Sequence, residues 1–477
     1  MELRAAPAPP GENDPLTLTR DRLFELITAY DRPGPRYTSY PTAVEFHEGF
    51  RDAEYRARLA AASTDTGRPL SLYLHLPFCE ERCTFCGCMV IITRRREVAA
   101  RYLEYVEREL ELLGGALGAR RRLAQYHWGG GTPTYLDPPQ MDRLHAAVRR
   151  HFEFEPGAEM AIEVDPRVTT TAHLDTLRRL GFNRLSLGVQ DFTPEVQAAV
   201  NRVQGEDETR RMYDYARAAG FQSINIDLIY GLPLQSEGSF GRSVDAVIAM
   251  RPDRLAVYSF AHVPWVRGNQ KGINPADLPD ARSKIGLFLE ARERLLGAGY
   301  VQIGMDHFAL PDDEMARAAA AGALHRNFMG YTVKPAADMI GIGVSAIGDV
   351  AGAFAQNTKK LSTYYADLDA GRFPVERGFV LDEDDLIRRY VITQLMCNFR
   401  LAWRDVDGRF GISALQYFAR ERQALAEGPA AHGFVRLDEE GIDVLPVGRL
   451  FVRNVCMLFD RHLREKTGGT PVFSRTI

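Results

Sequence analysis

The sequence has no apolar run approaching the roughly 18 residues that span a bilayer, which excludes a transmembrane helix. It also lacks a basic surplus. Lys and Arg total 59 against 63 Asp and Glu, a net charge of −4, which argues against a general binder of nucleic acid or of anionic membranes. Cysteine is scarce, with six in 477 residues, too few for a disulfide scaffold. No G-x-G-x-x-G follows a strand-like run and no G-x-x-x-x-G-K-[ST] loop occurs, so dinucleotide and nucleoside-triphosphate sites of those kinds lack support. There is no fixed-period repeat. Residues 1–15, rich in Pro and Ala, contain no apolar segment of the kind found in secretory signals, and a cytoplasmic location is expected.

What remains is an ordinary globular composition, 45% hydrophobic and 26% charged, able to bury a large core. From Leu70 onward, strand-like runs alternate with helical ones. The strand candidates are 71–76, 125–128, 160–164, 184–190, 224–230, 254–260 and 301–308. Helices are expected over 99–113, with Gly114-Gly115 as a stop, and over 138–151, 208–219 and 279–298. Such alternation predicts βαβ units on a parallel sheet, here an α/β partial (β/α)6-type barrel. Several strands run into Gly129-Gly130-Gly131-Thr132, Asp165-Pro166-Arg167, Gln190-Asp191 and Gly231-Leu232-Pro233, at the ends where such sheets build their sites. Residues 1–30 read as a loose tail, 31–70 as an N-terminal extension, and 71–375 as the barrel. Residues 376–477 read as a smaller, mostly helical, winged-helix-like domain with a hairpin near Glu439-Glu440-Gly441 and a helix over 447–463. Without a basic stripe, that last module is read as a lid or packing element rather than a DNA reader.

Four of the six cysteines fall between positions 79 and 88. Cys79, Cys83 and Cys86 form C-x3-C-x2-C directly after the first strand. Thiolates favour zinc or iron–sulfur centres, and a structural zinc site needs a fourth ligand. No second CxxC or His pair lies nearby. Three thiolates on a four-iron cluster leave one iron open to a small molecule. His75 reads as a core histidine and Cys88 as a pocket residue, although either is chemically able to ligate. Asp227, in an otherwise apolar strand, needs a partner if buried: either it bonds a ligand or it caps the turn that follows.

The C-x3-C-x2-C loop, with Phe85 before its third cysteine, resembles the radical S-adenosylmethionine (radical SAM) superfamily. Six further segments resemble the oxygen-independent coproporphyrinogen III oxidase family within it: Pro35–Thr42, Cys86-Gly87-Cys88, His127–Thr134, Ile162–Arg167, Ile226–Pro233 and His325–Phe328. The segments Gly304–Phe308 and Cys397–Arg400 agree as well. The resemblance covers roughly residues 30 to 477. It implies a [4Fe-4S] cluster on Cys79, Cys83 and Cys86 with one open iron, and two molecules of S-adenosylmethionine. It places Tyr73, Gly130 and Glu163 on the first of these. Phe85, Gly131, Thr132, Gln190, Arg202, Asp227, Ala261 and Ile347 go to the second, with Gly87 and Cys88 nearby. Gly130 and Gly131 are expected to let backbone N–H groups approach the cofactor's carboxylate.

The implied reaction turns the ring A and B propionates of coproporphyrinogen III into vinyl groups, giving protoporphyrinogen IX. An apolar macrocycle with four carboxylates calls for an apolar trough rimmed by cations. Arg36, Arg326 and Arg400 are candidates for that rim, each equally able to serve as a surface ion pair. A monomer served by a flavodoxin-type electron donor is expected. The alternatives are a radical SAM-fold haem carrier without oxidase activity and a zinc-loop structural protein. The Cys-Gly-Cys and Pro-Arg-Tyr-Thr-Ser-Tyr segments speak against the carrier.

Overall fold

The computed structural model describes residues 18–334, 336, 338–466 and 473–476. Six strands follow one another in parallel: β1 (Leu70–Leu76), β2 (Arg122–Gly130), β3 (Glu153–Val164), β4 (Arg184–Gln190), β5 (Ser223–Tyr230) and β6 (Arg254–Ser259). Each is followed by a helix: α1 (Arg96–Leu117), α2 (Pro138–His151), α3 (Thr171–Leu180), α4 (Glu206–Ala218), α5 (Glu237–Met250) and α6 (Ala281–Gly297). The sheet then continues as β7 (Val301–Ile303), β8 (His307–Ala309), β9 (Asp338–Ile342), β10 (Ile347–Val350), β11 (Ala353–Asn357) and β12 (Val375–Val380). The order across it is β12-β11-β10-β9-β1-β2-β3-β4-β5-β6-β8-β7, and β9 joins β1 in parallel while the remaining flanking pairs are antiparallel. Among the described residues no ladder joins β12 to β7, so this is a partial barrel.

Side-chain alternation along each strand decides what faces where. Leu72, Leu74 and Leu76 of β1, Ile162 of β3 and Ile226 and Leu228 of β5 are fully buried among the apolar core. The intervening positions are polar: His127, Glu163, Ser186, Asn225 and Asp227 line an internal cavity of about 150 Å³. The sheet is therefore apolar toward its helices and polar toward its own interior.

Several expectations are corrected. Residues 301–308 form no seventh parallel strand: the chain reverses at Gly304, whose φ is +57° and where any Cβ would lie 2.0 Å from the Tyr331 hydroxyl. Helix α1 runs through Gly114-Gly115 and ends at Gly118, with φ +56°. Gly114 instead makes room for the His151 ring, 2.4 Å from where a Cβ would stand. The segment 447–463 breaks into Val447–Phe451, Val452–Met457 and Arg461–Glu465. Residues Arg20–Tyr30, expected as tail, form a helix capped by Thr19. Strand β12 reaches Val380, so the boundary at 375 passes along a sheet strand. Beyond it lie α7 (Glu383–Asn398) and a small sheet of β13 (Arg400–Ala402), β14 (Val435–Leu437) and β15 (Gly441–Val444), in the order β13-β15-β14. No described helix is long and apolar enough to cross a membrane.

The N-terminal extension crosses the carboxyl ends of the strands. Arg36 donates to the carbonyl of Ser259 at the end of β6 (2.6 Å), and Tyr37 donates to Asp460 (3.0 Å). Arg453 holds the Pro35 carbonyl (2.9 Å) and that of Thr476 (2.9 Å).

One buried group ties the antiparallel flank to the parallel core. Glu109 of α1 accepts from the Gly343 N–H (2.8 Å), Asn357 Nδ2 (2.7 Å) and the Tyr364 hydroxyl (2.6 Å). Glu109→Ala leaves these donors unpaired, at about 1–3 kcal/mol each. A loss of about 3 kcal/mol or more is expected from urea unfolding midpoints. Burial pushes Glu109 up to about 7 from 4.5. A raised folded-state pKa stabilises below the unfolded value and is lost as pH climbs through the folded one. Glu109→Gln should therefore flatten the fall in stability seen between about pH 5 and 7.

Candidate functional site

Strand β1 delivers the cysteine loop. The chain leaves Leu76 through Pro77, and Phe78–Cys79 pairs in parallel with Ile91–Ile92 to close the base of the loop. The Thr84 N–H donates to the Val200 carbonyl (3.0 Å) and Asn201 Nδ2 to that of Arg82 (2.9 Å). Asn269 Nδ2 reaches the carbonyls of Thr84 (2.9 Å) and Cys86 (3.0 Å), while Gln270 Nε2 joins those of Phe85 (3.2 Å) and Ala261 (3.1 Å). Asn269 and Gln270 escaped the sequence reading, since two amides in a polar loop carry no signal that they clamp a loop about 185 positions earlier.

Above the strand ends lies a cavity of about 500 Å³. Cys79, Cys83, Cys86, Cys88, Phe85, Gly130, Gly131, Thr132, Glu163, Gln190, Arg202 and Asp227 all line it, with Asp165 and Arg167. Arg202 is buried. Its Nη1 lies 3.0 Å from Asp165 and 3.8 Å from the Cys83 sulfur. Arg167 grips the same carboxylate (2.7 Å) and approaches Cys83 to 3.9 Å. Burial opposes the charge on Asp165, yet Arg202 and Arg167 hold it below the usual carboxylate range. The Arg202 Nε is buried without a partner. Cys88 donates to Cys86, which pulls the Cys86 thiol down to about 6 and pushes Cys88 up.

Glu163 faces the cavity, accepting from the Gly130 N–H (3.1 Å) with His127 Nε2 at 3.3 Å. Despite burial, His127 and that N–H keep its carboxyl below the ordinary Glu value. Asp227 accepts from Asn225 (2.8 Å) and Ser186 (3.2 Å), and burial raises it to about 6. It does not cap the turn after β5, where the Leu232 N–H donates to Gln235 (2.9 Å).

The glycines act differently from expectation. The Gly130 N–H goes to Glu163, the Gly131 N–H to the Leu76 carbonyl (2.9 Å) and the Thr132 N–H to that of Phe78 (2.8 Å), so the chain itself takes these donors. Gly130, at φ +115°, and Gly131 are needed for close approach: a Cβ would stand 2.6 Å from the His75 ring at the first and 2.7 Å from the Phe78 carbonyl at the second. His75 is held between the Tyr73 hydroxyl (3.0 Å) and the Met89 carbonyl (3.0 Å).

Other candidates stand apart. Tyr73 stacks on His127 beneath the cavity. Gly87 is exposed, and the Ala261 carbonyl accepts from Gln270, which also bonds the loop at Phe85. Ile347 packs with Phe46, Phe328 and Phe354 in a satellite apolar cluster. Arg326 lies over the Tyr331 ring with a buried, unpartnered Nε, and its neighbours include Asp306. Arg400 is not brought to the site: its side chain is 71% exposed and pairs with Asp443 at 3.4 Å.

The donor set fits an iron–sulfur cluster. Three thiols line one cavity, thiolates are the usual ligands of such clusters, and two guanidinium groups beside Cys83 suit the negative charge that thiolates bring. Comparison with known proteins agrees. The family model for the radical SAM superfamily matches residues 73–247. The oxygen-independent coproporphyrinogen III oxidase of Pseudomonas aeruginosa is 47% identical, over 92% of this chain and 95% of its own. That of Salmonella typhimurium is 48% identical, over 95% and 98%. The solved coproporphyrinogen III oxidase of Escherichia coli, a radical SAM enzyme, superposes with a TM-score of 0.88 at 45% identity, covering 92% of this chain and 99% of its own. At 47% and 48% identity over more than nine-tenths of its length, the chain belongs to the oxygen-independent coproporphyrinogen III oxidase family of radical SAM oxidoreductases.

Proposed function

We propose that the protein converts the ring A and B propionates of coproporphyrinogen III to vinyl groups, giving protoporphyrinogen IX for haem synthesis without oxygen. The observation that carries this reading is the single cavity that three cluster-type thiols share with Glu163 and Asp227. Cys79, Cys83 and Cys86 would hold a [4Fe-4S] cluster with two molecules of S-adenosylmethionine beside it, and together these would supply the radical chemistry that removes a propionate β-hydrogen, with loss of carbon dioxide and one further electron.

The chain's own residues prepare this. Arg202 and Arg167 place positive charge beside Cys83, and Asp165 fixes both. Glu163, held ionised, suits a cationic amino group. Asp227 offers an acceptor for hydroxyl donors, and a stronger one when ionised. Arg36, anchored at the mouth of the barrel, and the buried Arg326 are suited to propionate carboxylates; Arg400 is left out of this role. The segment around Arg36 and Tyr37, bonded to both β6 and the C-terminal part, limits the access of water to a radical. All six cysteines are free, as a cytoplasmic enzyme requires. We read the protein as a monomer that receives electrons from a flavodoxin-type donor.

Anaerobic incubation with reductant, S-adenosylmethionine and coproporphyrinogen III is expected to yield 5′-deoxyadenosine and protoporphyrinogen IX; stable haem binding with neither product would overturn the proposal. Cys79→Ser, Cys83→Ser and Cys86→Ser should each abolish iron loading, measured as iron per chain, whereas Cys88→Ser should keep iron and lose turnover. Because Asp227 sits at about 6, its ionised form fades below that pH. Affinity for S-adenosylmethionine should drop as the pH falls through 6, and Asp227→Asn should bind weakly with that dependence removed, as equilibrium dialysis would show.

A further inference from the structure

The segments that clamp the cysteine loop carry an unusual outer face. Among the described residues ten large apolar side chains are exposed, and four of them lie here: Ile92 at the base of the loop, Val203 beside Arg202, and Trp265 and Val266 just before Asn269. Val203 is 72% exposed and Trp265 57%. Scattered apolar residues on a surface are ordinary, whereas a cluster around one functional loop marks an interaction site.

The same face is positively charged, although the chain carries a net −4. Arg82 lies on the loop, Arg267 beside Gly87 and Lys271 just after Gln270, and among the described residues no ion pair holds any of the three. Lys359 lies near Arg377 and Arg267, and desolvation together with these two cations lowers its pKa. The acids of the loop are already matched, Glu81 by Arg94 at 2.7 Å and Glu80 by Arg96. An exposed tryptophan on the segment that also carries Arg267 and Lys271 has the composition of a binding hot spot, and charge beside it steers an oppositely charged partner.

The proposed reaction needs an electron from outside, and electron transfer through protein weakens steeply with distance. A carrier must therefore seat where the thiols come nearest the surface. We propose that the face formed by Trp265, Val266, Val203, Arg267 and Lys271 docks a small acidic one-electron carrier protein. In the complex one electron passes from the carrier, which is oxidised by one, to the iron–sulfur site on the loop, which is reduced by one; no atom is exchanged. Asn269 and Gln270 join the docking segment directly to the loop backbone. An interface of this kind is small, as transient redox encounters are. The inference rests on the function proposed above.

The test compares two reductants on the iron-loaded protein: reduced flavodoxin as the acidic carrier and reduced methyl viologen as a small one. In the Arg267→Glu/Lys271→Glu variant, and in Trp265→Ala, the second-order rate of reduction by flavodoxin, followed by visible absorbance, should fall about tenfold or more. The charge variant should also lose the salt dependence of the wild type. Iron content and the methyl viologen rate should be unchanged, and calorimetric binding of oxidised flavodoxin should weaken in parallel. Unchanged flavodoxin kinetics, or equal slowing with both donors, would overturn the docking surface alone. Wild-type protein unable to hold iron would overturn the functional reading and this surface with it.

Discussion

Ionised groups line the inside of this sheet, and each needs a partner because an unpaired charge away from water is expensive. The pairs follow the strands. Asp165 is shared by Arg167 and Arg202, and Glu163 by His127 and the Gly130 N–H. Further down, Arg184 meets Glu159 at 3.0 Å and Arg254 meets Asp313 at 2.9 Å. These pairings fix which residue stands at each strand end, and thereby where the cysteine loop lies relative to the carboxylates opposite it. A filled apolar barrel of the usual kind would have no comparable way to keep charge in its interior.

The close meeting of β1 and β2 serves the same end. Gly131 and Thr132 bond directly to the backbone of Leu76 and Phe78, which any side chain at Gly131 would prevent. The first cysteine therefore emerges at a point set by backbone rather than by side-chain packing. The N-terminal extension adds a second layer, tied to β6 and to the C-terminal part.

Much of this was legible beforehand. Parallel strands buried on one face by leucine and isoleucine announce themselves, and the polar residues at their ends mark the site; strand 184–190 and helix 138–151 stand where periodicity placed them. Asp227 read as a residue in need of partners, and it has them in Asn225 and Ser186, which the sequence did not name. What stayed hidden has a common cause, the dependence of local meaning on distant packing. Gly114-Gly115 looks like a stop until His151 is placed against it. Residues 301–308 read as one strand until Tyr331 is seen to occupy the Gly304 turn. Gly130 and Gly131 suggested free N–H groups, but whether a donor is free depends on an acceptor brought in from another strand. Arg400 sat in a matching motif yet faces solvent, because a motif carries no direction.

The clamping of the loop by Asn201, Asn269 and Gln270 has one more consequence. The carbonyls of Arg82, Thr84, Phe85 and Cys86 are taken by protein donors, so the fold itself sets part of the loop's shape. Small zinc modules draw their folding energy from the ion they bind; here side-chain amides carry part of that burden. The placing of the thiols is thus tied to segments 119 and 185 residues further along the chain.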